Sequence, residues 1–400
     1  MLPRKKDCCG CAACANVCEL SCITMKPDIT GFEYPEIDFK RCVGCGRCER
    51  ACPALISRQN KNSNSKPVIH AVAQHRVEEI LRQTTSGGAF AGMAEYVVQN
   101  GGVVYGASLG KSFVVGHIRV ETAEDLALLR GSKYCQSRVG ISYRMARDDL
   151  EAGRTVLFSG TPCQVSGLKR FLGKEYQNLY TVDVVCRAVP SPKIFQKYVQ
   201  LRRREFDRLD RLTFRDKGLG YSYPTLAVYG EKRGKAKIYR RGKESDEWYR
   251  LFFGGYCNRE SCYGCTWQSG ARESDITLWD CFRVYRLAPS MDNDLGATNA
   301  AVWTDKGKNL LTEAKGFLYV REVESSAELR HLERNNRALV RRDSVQFYSD
   351  VDAMSPEDFF QKYAPNNLKA KGMNLLRKAS MKLGVYQGVR KALHTLRDKL

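Results

Sequence analysis

No uninterrupted apolar run of about 18 residues occurs in this 400-residue chain, which argues against a transmembrane helix. The N-terminus, Met-Leu-Pro-Arg-Lys-Lys-Asp, has no apolar core like that of a secretory signal. No Gly-x-Gly-x-x-Gly follows a strand and no Walker A loop is present, so a standard Rossmann NAD site is not expected. Zinc-finger, RNP and KH patterns are missing too, and nucleic acid is not an expected partner. Acidic residues are in deficit. Lys plus Arg number 65 against 44 Asp plus Glu, a net charge of +21. That excess draws anionic partners without choosing among them.

What remains is globular in composition, 43% apolar and 27% charged, with a mean hydropathy of −0.43. At this length two or three domains are expected. Cysteine is the informative residue. There are seventeen, an odd number, and ten lie in the first 52 positions. Without an export signal this points to metal or redox chemistry in a reducing, cytoplasmic setting rather than a disulfide scaffold.

Two runs carry the pattern. Cys8, Cys11, Cys14 and Cys18 are spaced x2-x2-x3, and Cys42, Cys45, Cys48 and Cys52 repeat it, followed by Pro53. This is the bacterial spacing for cubane [4Fe–4S] clusters. Three thiolates two residues apart wrap three corners of a cube, and the fourth points to the other cube. Cys8, Cys11, Cys14 and Cys52 are thus expected on one cluster, and Cys42, Cys45, Cys48 and Cys18 on the other. Tetrahedral zinc usually takes two separated C-x2-C pairs, a poorer match. Cys9 and Cys22 read as buried fillers.

Beyond a polar stretch at 57–67, taken as a linker, strand and helix patterns alternate. Strands are expected at Val68–Ala73, Gly102–Ala107, Thr155–Phe158 and Leu179–Val185. Helices are expected at Ala89–Gln99, Thr122–Arg130, Pro162–Leu172, Pro192–Arg204, Asp305–Lys315 and Ala327–Leu339, and short strands with turns at 211–241. This argues an α/β, mixed α+β core behind a small bacterial ferredoxin-like α+β domain. Ser86-Gly87-Gly88 before a helix offers backbone N–H groups suited to a phosphate, or is a plain glycine-capped turn. Ser159-Gly160-Thr161 lies between strand and helix, where doubly wound sheets bind cofactors.

With Arg130-Gly131-Ser132-Lys133-Tyr134, Ser159-Gly160-Thr161-Pro162-Cys163-Gln164, Asp183-Val184-Val185-Cys186 and Ser261-Cys262-Tyr263-Gly264-Cys265, these motifs resemble the β-subunit family of coenzyme F420 hydrogenases and dehydrogenases, from about Lys5 to Asp343. The resemblance implies the ferredoxin-type domain at 1–56, family domains at 68–150 and 151–345, and a helical basic tail at 346–400. It implies FAD at Ser86, Gly87, Gly88, Ser132, Lys133, Gly160 and Thr161. Lys133 is placed to neutralise a phosphate or the charge on a reduced flavin, with a solvated surface lysine as the alternative.

Cys163, Cys186, Cys262 and Cys265 can supply a third [4Fe–4S] cluster, a structural zinc, or buried free thiols. Cys257 and Cys281 are possible substitutes in that set, and Cys135 looks like core. The family's Gly-Asp-Phe-Trp-Gly is here Trp279-Asp280-Cys281-Phe282-Arg283, so an F420 acceptor does not transfer safely. The expected activity is an iron–sulfur flavoprotein oxidoreductase acting on a small-molecule acceptor, F420-like or other. Its expected partner is a redox protein such as ferredoxin or a hydrogenase/dehydrogenase subunit. The alternative is a non-catalytic electron-transfer subunit. From Asn366 onward nine Lys or Arg face one Asp. The tail therefore suits peripheral contact with the inner membrane face or an acidic partner, or packs as a solvated helix.

Overall fold

The computed structural model describes residues 2–56, 66–269, 272–324, 328–329, 332, 341–365, 368–386 and 388. The first 56 residues build a small module. Helix α1 (Ala13–Val17) and the hairpin β1 (Ile23–Pro27) and β2 (Glu33–Ile37) precede two short helices, α2 (Arg47–Arg50) and α3 (Pro53–Ile56).

The body is an eight-stranded mixed sheet. Its strands are β3 (Ile69–His75), β4 (Val103–Leu109), β5 (Val115–Val120), β6 (Val156–Gly160), β7 (Leu179–Val184), β11 (Ile276–Asp280), β12 (Thr298–Val302) and β13 (Leu318–Glu322). Their order is β13-β3-β12-β11-β7-β6-β4-β5. The central four, β11, β7, β6 and β4, run parallel. Such strands are buried on both faces and read as continuous apolar runs, as Val156–Leu157–Phe158 does. Helices α4 (Glu78–Gln83), α5 (Ala89–Gln99), α6 (Ser142–Glu151) and α7 (Pro162–Leu172) lie along this half.

Helix α8 (Pro192–Arg203) leads into a separate antiparallel sheet of β8 (Arg208–Asp216), β9 (Thr225–Lys232) and β10 (Lys235–Arg241), followed by α9 (Glu247–Gly254). With helices Val345–Ala353 and Pro356–Tyr363 these enclose an aromatic core around Phe195, Tyr198, Trp248 and Phe347.

The expected helices at Ala89–Gln99 and Pro162–Leu172 form with those bounds. The expected helix at Thr122–Arg130 is only a 3-10 turn, Asp125–Leu129, because Thr122 caps Asp125 and just Leu126 and Leu129 are buried. The boundary expected at 150/151 falls inside one sheet, since strands on either side of it share hydrogen bonds. The linker, except for Lys66 and Pro67, and most of Ala327–Leu339 lie outside the described residues.

Candidate redox centre: three thiol sites and a cleft

Within the module, Cys8, Cys11, Cys14 and Cys52 line one small cavity with Met25 and Pro35. All four side chains are buried. Burial, with Cys8 and Cys52 beside it, pushes the Cys14 thiol up to about 12. The second set is arranged differently. Cys18, Cys42 and Cys48 pack around buried Cys22 and Ile23, with Cys18 Sγ 3.3 Å from Cys22 Sγ, while Cys45 is exposed. The chain approaches both sets through left-handed backbone at matching positions, Gly10 and Ala12 in one run, Gly44 and Gly46 in the other.

Cys163 opens α7 directly after β6, and Cys186 follows β7. They meet Cys262 and Cys265, which come from a 3-10 turn and the residue after it. All four line a 90 Å³ cavity with Trp267 and Arg272. Burial and the Cys262, Cys163 and Cys265 thiols hold Cys186 protonated well above its ordinary range. Cys257 and Cys281 do not join the set. Both are fully buried and neither lines that cavity. Behind the cavity Asp183 is 1% exposed; burial pushes its carboxyl up to about 6, opposed by Arg272 at 3.8 Å. Among the described residues no three Cys, His, Asp or Glu side chains close on a single-ion site. The first-run and body thiols ring open volumes instead, a donor set that suits cubanes.

At the C-terminal ends of the parallel strands lies a cleft of 540 Å³, within the size range of cofactor sites. Ser86, Gly88, Ser132, Lys133, Gly160 and Thr161 line it. Gly87 does not. Its N–H donates to Thr298 Oγ1, and a Cβ there would sit 2.4 Å from the Ala73 carbonyl oxygen. Two further expectations change. The Thr161 N–H is committed to Gln164 Oε1 at 3.0 Å as half of a capping box, so it is not free for a phosphate. Lys133 Nζ donates to the Leu128, Leu129 and Arg130 carbonyls at 3.3, 3.0 and 3.0 Å, and burial pushes it down to about 7. It caps the 3-10 turn as well as facing the cleft.

Sequence reasoning missed Phe252, Phe253, Arg187 and Gln136 in the lining, as well as the half-buried His117 beneath it. His117 is pushed down to about 4 by burial, and it donates through Nε2 to the Ser159 carbonyl at 3.0 Å while Ser137 donates to its Nδ1. No local motif marks these residues. Asp280, retained in the altered loop, is gripped by Arg215 at 3.1 and 3.2 Å and by the Tyr221 hydroxyl at 2.8 Å. Cys9, expected as mere filler, lies on the walls of both thiol cavities and the cleft, and its thiol is hydrogen-bonded to Cys11 and Cys163.

Residues 153–326, which hold β6, β7, β11 and all four thiols of the 90 Å³ cavity, match the family model for the C terminus of the coenzyme F420 hydrogenase/dehydrogenase beta subunit. Residues 7–56 match the 4Fe-4S dicluster domain. The chain is similar to the coenzyme F420-dependent sulfite reductase of Methanocaldococcus jannaschii, at 23% identity over 86% of this chain and 53% of that protein. It is also similar to NADH-quinone oxidoreductase subunit I of Pelobacter propionicus, at 35% identity over 16% of this chain and 38% of that protein. The chain spans about half the length of the first relative and less of the second. Among solved structures, the F420-reducing [NiFe] hydrogenase complex of Methanosarcina barkeri contains a chain similar at 17% identity, with a TM-score of 0.45 over 76% of this chain and 95% of that one. The chain thus joins a 4Fe-4S dicluster domain to a region similar to oxidoreductase subunits. No helix among the described residues is long and apolar enough to cross a membrane.

Proposed function

We propose that this chain is an iron–sulfur flavoprotein oxidoreductase that moves electrons between ferredoxin-type clusters and FAD, with hydride transfer to or from a small-molecule acceptor. One observation carries the reading. The module's cavity, the 90 Å³ thiol cavity and the 540 Å³ cleft share walls, with Cys9 in all three and Cys163 and Cys186 in the last two. In this reading Cys8, Cys11, Cys14 and Cys52 hold one cluster, Cys42, Cys45, Cys48 and Cys18 a second, and Cys163, Cys186, Cys262 and Cys265 a third. Ser86, Gly88, Ser132, Gly160 and Thr161 border the flavin. Bound flavin supplies exchange of electrons singly or in pairs, and cubanes exchange them one at a time.

The chain's own residues do the rest. The Thr161 capping box fixes the turn that carries Cys163. Arg215 and Tyr221 orient Asp280 on the cleft wall, beside Trp279 and Phe282, where the acceptor would lie. A redox partner protein would meet the module at exposed Cys45. The basic tail, with Leu368, Leu375 and Leu376 exposed, is the place for contact with a membrane surface.

Anaerobic purification followed by iron, sulfide and flavin quantitation tests this. About twelve irons and one FAD per chain are expected. Cys163→Ser or Cys265→Ser should lower iron by about four and slow flavin reduction. An iron-replete protein without flavin would refute the reading. A second reading, a non-catalytic electron-transfer part of a larger complex, is favoured by the chain spanning 53% of the sulfite reductase. It predicts that the purified chain alone reduces no acceptor.

A further inference from the structure

Arg259 is wholly buried between the dicluster domain and the body. Its Nε donates to the Cys8 carbonyl at 2.7 Å and Nη1 to Gln136 Oε1 at 2.9 Å. Nη2 donates to the Glu33 carbonyl at 2.9 Å and reaches Cys8 Sγ at 3.7 Å. The guanidinium lies over the rings of Tyr34 at 4.2 Å and Phe32 at 5.3 Å. Two carbonyls, an amide, a thiol and two rings make a full set of partners, and none is an anion. Nearby carboxylates are engaged elsewhere. Glu33 pairs with Arg138 at 2.8 Å, Asp28 with Lys5 at 2.5 Å and Glu260 with Arg341 at 2.9 Å. Among the described residues Arg259 has no carboxylate within ion-pair distance.

A buried guanidinium without a counter-charge costs several kcal/mol, so structures rarely keep one unless an anion arrives. The Arg259 backbone adds a constraint. Its N–H donates to the Val189 carbonyl at 2.9 Å, and its own carbonyl accepts from Cys262 N at 3.0 Å. One residue thus holds the Cys262 turn with its main chain and the Cys8 segment with its side chain. Gly10 makes room for it, since a Cβ there would lie 2.6 Å from Nη1.

We propose that Arg259 is the internal counter-charge and N–H···S donor to a cluster held by Cys8, Cys11, Cys14 and Cys52, and that it raises that cluster's reduction potential. The proposal rests on the cluster assignment above. A cubane with four thiolates is anionic and gains one more negative charge on one-electron reduction. A fixed cation at the ligand sulfur therefore favours the reduced form, and in a dry setting the effect is poorly screened. Arg259 keeps its protons throughout, and only its field and hydrogen bond act. Among the described residues no guanidinium is hydrogen-bonded to a thiol of the other cluster: Arg50 Nη2 reaches the Cys45 carbonyl at 3.2 Å in an exposed setting, and Arg144 Nη2 the Cys18 carbonyl at 2.8 Å.

The test is an anaerobic redox titration of the intact chain followed by EPR, comparing wild type, Arg259→Lys and Arg259→Met. Cys45→Ser identifies which signal belongs to the other cluster. At the potential where the wild-type first-run cluster is half reduced, Arg259→Met should hold it about tenfold toward the oxidised form, a shift of about 59 mV for one electron. Arg259→Lys should fall between, and the second-run signal should stay in place. Loss of first-run iron in Arg259→Met, retained in Arg259→Lys, would also support a counter-charge. A lower melting temperature with full iron and an unmoved midpoint in both variants would overturn the proposal, leaving Arg259 a structural strut. A wild-type chain with no iron at Cys8–Cys52 would instead overturn the cluster assignment itself, a distinct result read from iron content.

Discussion

The two cysteine runs share one spacing and one backbone trace yet live in opposite surroundings. Gly10 and Gly44 occupy the same place in the two runs, with φ of 69° and 68°. A Cβ at Gly10 would strike Arg259 and Gln136, while at Gly44 it would meet nothing within 4 Å. Further on, Ala12 and Gly46 both begin a helix in left-handed backbone. The first run is roofed by the body. Asn16 donates to the Gly140 carbonyl, and Arg144 donates to the Ala15, Asn16 and Cys18 carbonyls. The other run faces solvent. Phe39 is 80% and Val43 73% exposed beside Cys45, and Lys40, Arg41 and Arg50 have no carboxylate partner among the described residues. Spacing sets what each run binds, and surroundings set what each site is for. On the proposed reading, the roofed run would serve the inward chain of cavities and the open run an outside donor.

That contrast can be broken most sharply by stripping metal. Under air with a chelator, iron held by the exposed run should leave first, and mass spectrometry after alkylation should label Cys45 well before Cys11 or Cys14. Simultaneous loss would dissolve the contrast. Next in size is the docking effect. Lys40→Glu with Arg41→Glu should lower the second-order rate of reduction by an acidic electron-transfer protein about tenfold at low salt, and less at high salt. Reduction by dithionite should be unchanged. A rate that ignores both substitutions would move electron entry elsewhere.

A smaller effect compares the matched glycines. Gly10→Ala should cost about 2–5 kcal/mol, combining left-handed strain with overpacking against Arg259. Gly44→Ala should cost only the strain, about 1–2 kcal/mol, and denaturant midpoints measure both. Equal losses would mean the roof is not felt. Smallest of all, Ala12→Gly should stabilise by less than about 1 kcal/mol, because relief of the left-handed strain is offset by the lost burial of its methyl.

Much of the framework was legible because it is local. The Val156–Phe158 run, the Pro at the start of α7 and α8, and the x2-x2-x3 spacing each report through neighbours a few residues apart. The thiol quartet of the body was legible only as chemistry. The meeting of Cys163, Cys186, Cys262 and Cys265 follows from β6 and β7 lying side by side, which no single segment encodes. Arg259 was illegible. Its partners stand 123 to 251 positions away, and the residue itself resembles any loop arginine. Gly87 and Lys133 show the converse. Their local motifs are real, but a threonine from β12 and the end of a 3-10 turn claim the groups that the motif seemed to leave free.

Helix α7 also bears on inheritance. Its first turn carries Cys163, and one turn on, Gly167 is bare so that Cys11 of the dicluster domain can press against it: a Cβ on Gly167 would lie 3.0 Å from the Cys11 sulfur. A dicluster domain is often pictured as an interchangeable cartridge. Here the cartridge and its socket have interlocking teeth, Gly10 with Arg259 on one side and Cys11 with Gly167 on the other. A domain transplanted from another chain would have to carry both matches. Lineages of this protein should therefore have kept the two parts together, changing them in concert rather than shuffling them.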